Sequence, residues 1–330
     1  MDESDAANGA PGVRTGSPSV TILVPTKNRR AKISALLDRV LADPDQHEVV
    51  VVDDGSDDGT PDVLAAYAER DPRVVPILTG GTGRTSRARL RGARAATGDL
   101  LVMLDDDVMP MPGLATAHAD RHVGQDTSLV LGYMPTLVPD PLPPGGFATV
   151  LYAQEYETRC EEYEAEPSLV MTGLWLGNAS LRREHYIEAF DSGLMPEFPH
   201  RHEDRILGLA LRDLGVTGRF DWTLYAQHVH HRPLDAFLSD CYQQGQGREE
   251  IHRLYPEVLA ESSESAYLSG LPGPVHALVA ATRHEPVRRV VTGGLRAGIR
   301  CATAIHAPRM EITMARVVRR VEQMHGARNV

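Results

Sequence analysis

Over its first hundred residues the chain alternates short apolar runs with amphipathic stretches. Val20 to Val24 is a β-branched run closed by Pro25, which predicts a strand. From Ala31 to Leu41, residues Ile33, Leu36, Leu37, Val40 and Leu41 fall on one helical stripe. Val49 to Val52 is continuously apolar, as a strand covered on both faces requires. Pro61 opens a helix to about Arg70, Val74–Leu78 reads as a third strand, and Thr85–Ala96 as an arginine-rich helix. Leu100 to Leu104 is a fourth strand, too short for a helix. This alternation predicts an α/β fold, Rossmann-like, with a mostly parallel central sheet flanked by helices. In such sheets ligands bind beyond the carboxyl ends of the strands. Three of those ends carry polar loops: Pro25–Arg30, Asp53–Thr60 and Asp105–Asp107.

Beyond Asp107 the pattern loosens. Helices are predicted over Met111–His122, 148–165, Ile206–Leu214 and 233–259, a strand over Ser128–Met134, and a strand pair over Val216–Gln227. Pro135 to Phe147 holds five prolines and reads as a loop able to cover a site. Thr172 to Ser180 is a glycine-punctuated turn or strand carrying Trp175. The stretch after Glu261 ends in one or two arginine-rich helices.

Charge adds a second division. The net charge of −11 argues against a general nucleic-acid binder. From Leu271 to Val330, however, ten arginines face three glutamates, a net +7 on a body of −18. Such a tail suits anionic lipid or phosphate, or forms a helical cap or a dimer surface. Its arginines at 288, 289, 296, 300, 316, 319 and 320 recur partly at helical spacing. The three scattered cysteines make neither a disulfide framework nor a zinc site. Residues 1–18 read as a disordered leader without the basic and apolar regions of a signal peptide. No run reaches a membrane span. The expected location is therefore cytoplasmic, with residues 271–330 a possible peripheral contact at the inner membrane face. Oligomeric state is not legible.

The densest chemistry is Asp105-Asp106-Asp107, three carboxylates at the end of a buried strand. They repel one another unless a cation sits between them, and oxygen ligands suit Mg²⁺ or Mn²⁺. Alternatively they cap the next helix. Gly80-Gly-Thr-Gly83 lacks the spacing of a dinucleotide loop, and neither a P-loop nor a G-x-S-x-G elbow occurs.

The phrases VTILVPTKNR, VVVVDDGSDDGT, SRARLRGARAATGDLLVMLDDDVMP, GNASLRRE and HEDRILGLALRDLG together resemble the family-2 glycosyltransferases, which have a GT-A fold. The likeness runs from about Ser19 to Gly247. It implies a leader (1–18), a GT-A domain (19–247) divided into a nucleotide-sugar half (19–110) and an acceptor half (111–247), and a helical C-terminal extension (248–330). It also implies an inverting, metal-dependent transfer of sugar from a nucleotide-sugar donor, with UDP the first expectation and dTDP and GDP open. The acceptor would be a hydroxyl on a lipid-linked, polysaccharide or natural-product partner. By position, Pro25, Thr26, Asn28, Asp53, Asp54 and Arg89 would contact the nucleotide, with Asp57 and Asp58 building the turn. Leu90 replaces the asparagine of the family's phrase at that helix. Asp105 and Asp106 would reach ribose or metal-bound water. Asp105, Asp107 and His228 would serve a divalent metal, with His230 second to His228. Asp204 would be the general base, with Glu203 orienting it or touching the donor. Without the upstream motifs this acidic pair would be read as a helix N-cap. Trp175, Gly177 and Asn178 are acceptor-side candidates, although Trp175 equally suits the core. Rival readings are a non-catalytic nucleotide-sugar binder on the same fold and a nucleotidyltransferase; TKNRR is a poor triphosphate loop for the latter.

Overall fold

The computed structural model describes residues 16–43, 48–195, 202–229, 231–259 and 261–330. Residues 1–15 of the expected leader, and His230, lie outside them. Four strands alternate with three helices at the start: β1 (Val20–Thr26), α1 (Arg30–Leu41), β2 (Glu48–Asp53), α2 (Thr60–Arg70), β3 (Val74–Leu78), α3 (Thr85–Ala95) and β4 (Leu100–Leu104). These elements follow the apolar pattern of the sequence closely. The middle of the chain adds β5 (Val108–Pro110), α4 (Leu114–Arg121), β6 (Ser128–Tyr133), α5 (Phe147–Ala165), α6 (Leu169–Thr172), β7 (Asn178–Arg182), α7 (Arg183–Asp191), α8 (Glu203–Asp213) and β8 (Thr217–His228). Five helices follow: α9 (Leu234–Leu254), α10 (Ser263–Leu268), α11 (Gly273–Ala281), α12 (Glu285–Ala304) and α13 (Pro308–Ala327).

The strands form one sheet in the order β3-β2-β1-β4-β7-β6-β8-β5. β3, β2, β1 and β4 run parallel, β7 is antiparallel to both β4 and β6, and β8 is parallel to β6 but antiparallel to β5. The sheet is mixed because β7 reverses direction in its middle. Alternate strand residues point to opposite faces. Ile22, Val24, Val49, Val51 and Val102 enter one core, and Leu23, Val50, Val52, Leu101 and Met103 the other. Each such side chain withdrawn from water contributes roughly 1.5–3 kcal/mol. With helices on both sides, these strands need no polar face, which is why their sequence is unbroken valine and leucine.

One expectation changes. Val216–Gln227 is not a strand pair but one long strand, β8, whose register against β6 shifts between Gly132 and Tyr133. That irregularity lets one strand serve β6 along its first half and β5 at its end. Past Glu261 there are four helices, α10 to α13, of which the last two are the arginine-rich pair. The boundary drawn between residues 247 and 248 falls inside α9. α13 lies along both α9 and α5. At the α9–α13 crossing, a Cβ on Gly245 would land on the Gln323 carbonyl, and one on Gly326 on the Tyr242 carbonyl. Two glycines thus bring the helix backbones into direct contact.

Candidate active site

The strand order reverses between β1 and β4, so the loops leaving these neighbours diverge and open a crevice. Across it the Thr26 hydroxyl donates to Asp106 Oδ2 at 2.8 Å. A cleft of about 1530 Å³ opens there, lined by Pro25, Thr26, Asp54, Arg89, Asp105, Asp106, Asp107, Trp175, Glu203 and Asp204 among others. Residues distant in sequence meet here because α3, β4 and α8 all end at this edge.

Arg89 is the centre of the arrangement. It is buried on α3 and reaches two carboxylates at once: Nη2 donates to Asp105 Oδ1 at 2.5 Å and Nη1 to Asp204 Oδ1 at 3.1 Å. Expected to touch the nucleotide, it instead joins the end of β4 to the start of α8. Gly92, one turn on, lets α3 sit this deep, since a Cβ there would overlap Leu23 and Val52. Asp204 also accepts the Leu176 N–H at 3.1 Å, yet 32% of its side chain stays open. Burial raises its pKa, and the Arg89 charge offsets this only in part. A half-buried, proton-hungry carboxylate is the result. Glu203 accepts the Ser86 N–H at 3.0 Å, which pins the first turn of α3 to the first turn of α8.

The other acids are held differently. Asp107 faces His228, with Oδ1 3.5 Å from Nε2, and Lys32, with Oδ2 3.2 Å from Nζ. Burial alone would raise its pKa, but His228 and Lys32 outweigh burial and hold it well below the usual carboxylate range. Burial pushes Asp106 up to about 6, with the Thr26 hydrogen bond opposing and Asp107 adding to the rise. His228 is placed by register: β5 pairs Val108 with His228, one residue from Asp107. Its Nδ1 lies 3.0 Å from Thr136 Oγ1. The imidazole of His228 and the carboxylate of Asp107 are the side chains that could hold a divalent cation between them. Among the described residues no set of three His, Cys, Asp or Glu side chains forms a metal cage. Remaining positions would belong to phosphate and water. Asp105, expected as a ligand, is engaged by Arg89.

Several candidates serve the scaffold. Asn28, at φ 54°, accepts the Asp57 N–H at 2.8 Å and donates its own N–H to Ser56 at 2.8 Å, tying two loops together behind the cleft. Asp53 Oδ1 accepts the Gly55 and Ser56 N–H groups and builds the turn after β2. Asp58 caps α2 through Thr60. Asp54 lines the cleft, but its carboxylate is engaged by Thr79, Thr82 and Gly83, fixing the Gly80–Gly83 loop. Burial would raise its pKa, yet the Thr82 N–H and the other donors lower it overall. Asn178 is fully buried in β7, bonded to His118 and the Leu224 carbonyl, and is not available to an acceptor. Gly177 is needed for approach: a Cβ would stand 2.8 Å from Met134 Sδ and 3.0 Å from Asp105 Oδ2. Trp175 lines the cleft against Tyr152 and Tyr156, with ring centroids 5.4 and 5.2 Å away.

Residues 21–141, which carry β1 to β6, match the sequence profile described as Glycosyl transferase family 2. This segment belongs to glycosyl transferase family 2. A validoxylamine A glucosyltransferase of Streptomyces hygroscopicus subsp. limoneus is 37% identical over 131 residues, 37% of this chain and 28% of its own length. An undecaprenyl-phosphate 4-deoxy-4-formamido-L-arabinose transferase of Aeromonas hydrophila is 35% identical over 98 residues, 28% of this chain and 30% of its own. The chain thus spans under a third of the curated relatives it matches. A mannosyltransferase from Pyrobaculum calidifontis, solved with GDP-Man and Mn²⁺, superimposes with a TM-score of 0.58 at 19% identity, over 93% of this chain and 88% of that one. The fold shared with that enzyme therefore extends well past the matched segment.

Sequence reasoning missed Lys32, Tyr152 and Arg232, all at the cleft or against its acids. A lysine beside the buried stripe of α1 was the only signal for the first. The arginines of the tail divide between the cleft and ion pairs within the protein. Arg316, Arg319 and Arg320 line the cleft, Arg288 and Arg289 pair with Glu285, and Arg296 and Arg300 with Asp235. Among the described residues no helix is long and apolar enough to cross a membrane.

Proposed function

We propose that this chain is an inverting glycosyltransferase that moves a sugar from a nucleoside-diphosphate donor to an acceptor hydroxyl, with Asp204 as general base. The observation that carries this reading is the Arg89 bridge, which fixes Asp204 opposite the acidic end of β4. In a single in-line displacement the acceptor hydroxyl attacks the sugar carbon as the diphosphate departs. The attacking hydroxyl must lose its proton, and Asp204 is open to the cleft with its basicity raised by burial. Glu203 positions it indirectly, by locking α3 and its Arg89 onto α8. Pro25, Thr26 and the loop held by Asp54 would border the nucleoside. A divalent cation held by Asp107 and His228 would neutralise charge gathering on the departing diphosphate. The GDP-Man and Mn²⁺ of the Pyrobaculum enzyme support a cation of this class and keep GDP beside UDP as the nucleotide. The relatives' acceptors, a natural product and a lipid phosphate, keep both classes open here, with Trp175 as the wall an acceptor would meet.

The test is thermal stabilisation by UDP, GDP and dTDP with and without Mn²⁺. One nucleotide at a hundredfold its Kd should add about 2.7 kcal/mol, and only with the metal present. No stabilisation by any of the three, with or without Mn²⁺, would remove the donor site from the account.

A further inference from the structure

The far wall of the cleft is built from arginines the transfer reaction leaves unused. Arg205 on α8, Arg248 on α9 and Arg320 on α13 line it together with Tyr267 of α10. The guanidinium carbons of Arg248 and Arg320 stand 5.8 and 6.0 Å from the Tyr267 ring centroid. No carboxylate lies within 4.0 Å of any of the three among the described residues, although Arg159 and Arg319 nearby are paired with Glu162 and Glu155. Arg205 gives only its Nε to protein, donating to the Thr172 carbonyl at 2.8 Å. Arg248 Nε is buried without a hydrogen-bond partner. Burial, with Arg159 and Arg248 beside it, pulls the Arg205 pKa down to about 10. Three like charges gathered on three different helices cost stability unless an anion joins them.

We propose that this wall binds a phosphate group carried by the acceptor. The inference rests on the glycosyl-transfer reading for the word acceptor, but the site itself does not. A carboxylate has two oxygens and suits one arginine fork, whereas a phosphate ester offers three non-bridging oxygens to three separate donors. The wall is carried by α8, α9, α10 and α13 and not by the loops after β1 and β2 that would border the nucleoside, so it would address the attacking partner. Arg205 follows the base directly in α8, which ties the anchored phosphate to the position of the hydroxyl.

Calorimetric titration of the full chain with glycerol 3-phosphate, and with decyl phosphate below its micelle concentration, tests this. Binding of the first indicates a soluble phosphorylated acceptor and binding of the second alone a lipid phosphate; either supports the site. Arg248→Gln/Arg320→Gln should weaken the bound probe about tenfold or more, while Arg296→Gln, which removes an arginine paired with Asp235, should leave it unchanged. Arg248→Lys/Arg320→Lys keeps the charge and guards against misfolding; it should bind more weakly than the parent and more tightly than the glutamine pair. Each variant is checked for Mn²⁺-dependent nucleotide binding, which should persist. Neither probe binding the parent, or equal binding by the glutamine pair, overturns the proposal. Loss of nucleotide binding with phosphate binding intact would count against the transferase reading and not against this site.

Discussion

Replacing Arg89 by methionine removes one side chain and strands two acids. Arg89 is 5% exposed, and its partners Asp105 and Asp204 are 41% and 32% exposed. Breaking a buried ion pair by removing one partner costs about 3–5 kcal/mol. Because both carboxylates keep a share of water and can rehydrate, the lower end applies, about 3 kcal/mol. For a chain of this size that corresponds to a fall of about 4 °C in Tm. A second effect follows from the same geometry. The Arg89 charge opposes the burial that raises the Asp204 pKa, so its loss lets that pKa climb further. The acid limb of kcat/KM, where the base becomes protonated, should then move to higher pH. Arg89→Lys should recover only part of both effects, because a single ammonium does not span the two carboxylates as a fork does. Differential scanning calorimetry and a pH–rate profile measure the two independently. An Arg89→Met protein melting within about 1 °C of the parent, with an unmoved acid limb, would refute the bridge.

Other consequences are simpler. His118 is buried between Asn178 and Ser180, and burial pushes its pKa down to about 4. The unfolded chain takes up that proton below about pH 6.5, so the contribution is whole above 6.5 and about 3 kcal/mol is lost as pH falls toward 4. His118→Gln should flatten part of the acid limb of urea stability; His122, depressed in the same sense, retains the rest. Gly177→Ala would press a methyl group against Met134 and Asp105, so a loss of about 1–3 kcal/mol in stability and a displaced Asp105 are expected by melting and crystallography. Gly245→Ala would force α9 from α13 and open the arginine wall, read as faster hydrogen exchange in α13 and a Tm loss larger than that of Gly177→Ala.

The first half of the fold was legible because buried parallel strands announce themselves as unbroken valine and leucine, and Pro61 and the glycines punctuate the rest. Asp204 and the triplet were legible as phrases, and His228 by its distance from the phrase that follows it. What stayed hidden depends on long-range pairing. Nothing local in ARLRG tells that Arg89 turns toward two carboxylates 16 and 115 residues away. Asn28 and Asn178 sit in the right phrases, but a loop and the sheet engage their side-chain oxygens, and Asp53 gives Oδ1 to its own turn while Oδ2 stays buried without a hydrogen-bond partner. The tail left its partner open because amphipathic arginine spacing is the same whether that partner is a lipid, Glu155 across a helix interface, or a ligand in a cleft.

The central claim is that Asp204 takes the acceptor proton. Nucleoside diphosphate release from UDP-, GDP- and dTDP-sugars with Mn²⁺, measured for the parent and for Asp204→Asn, tests it most directly. The parent should turn over one donor class, and the variant should bind that donor with unchanged Kd but turn it over about a hundredfold or more slowly. Parental rates from Asp204→Asn, or no donor turned over by the parent, would contradict it.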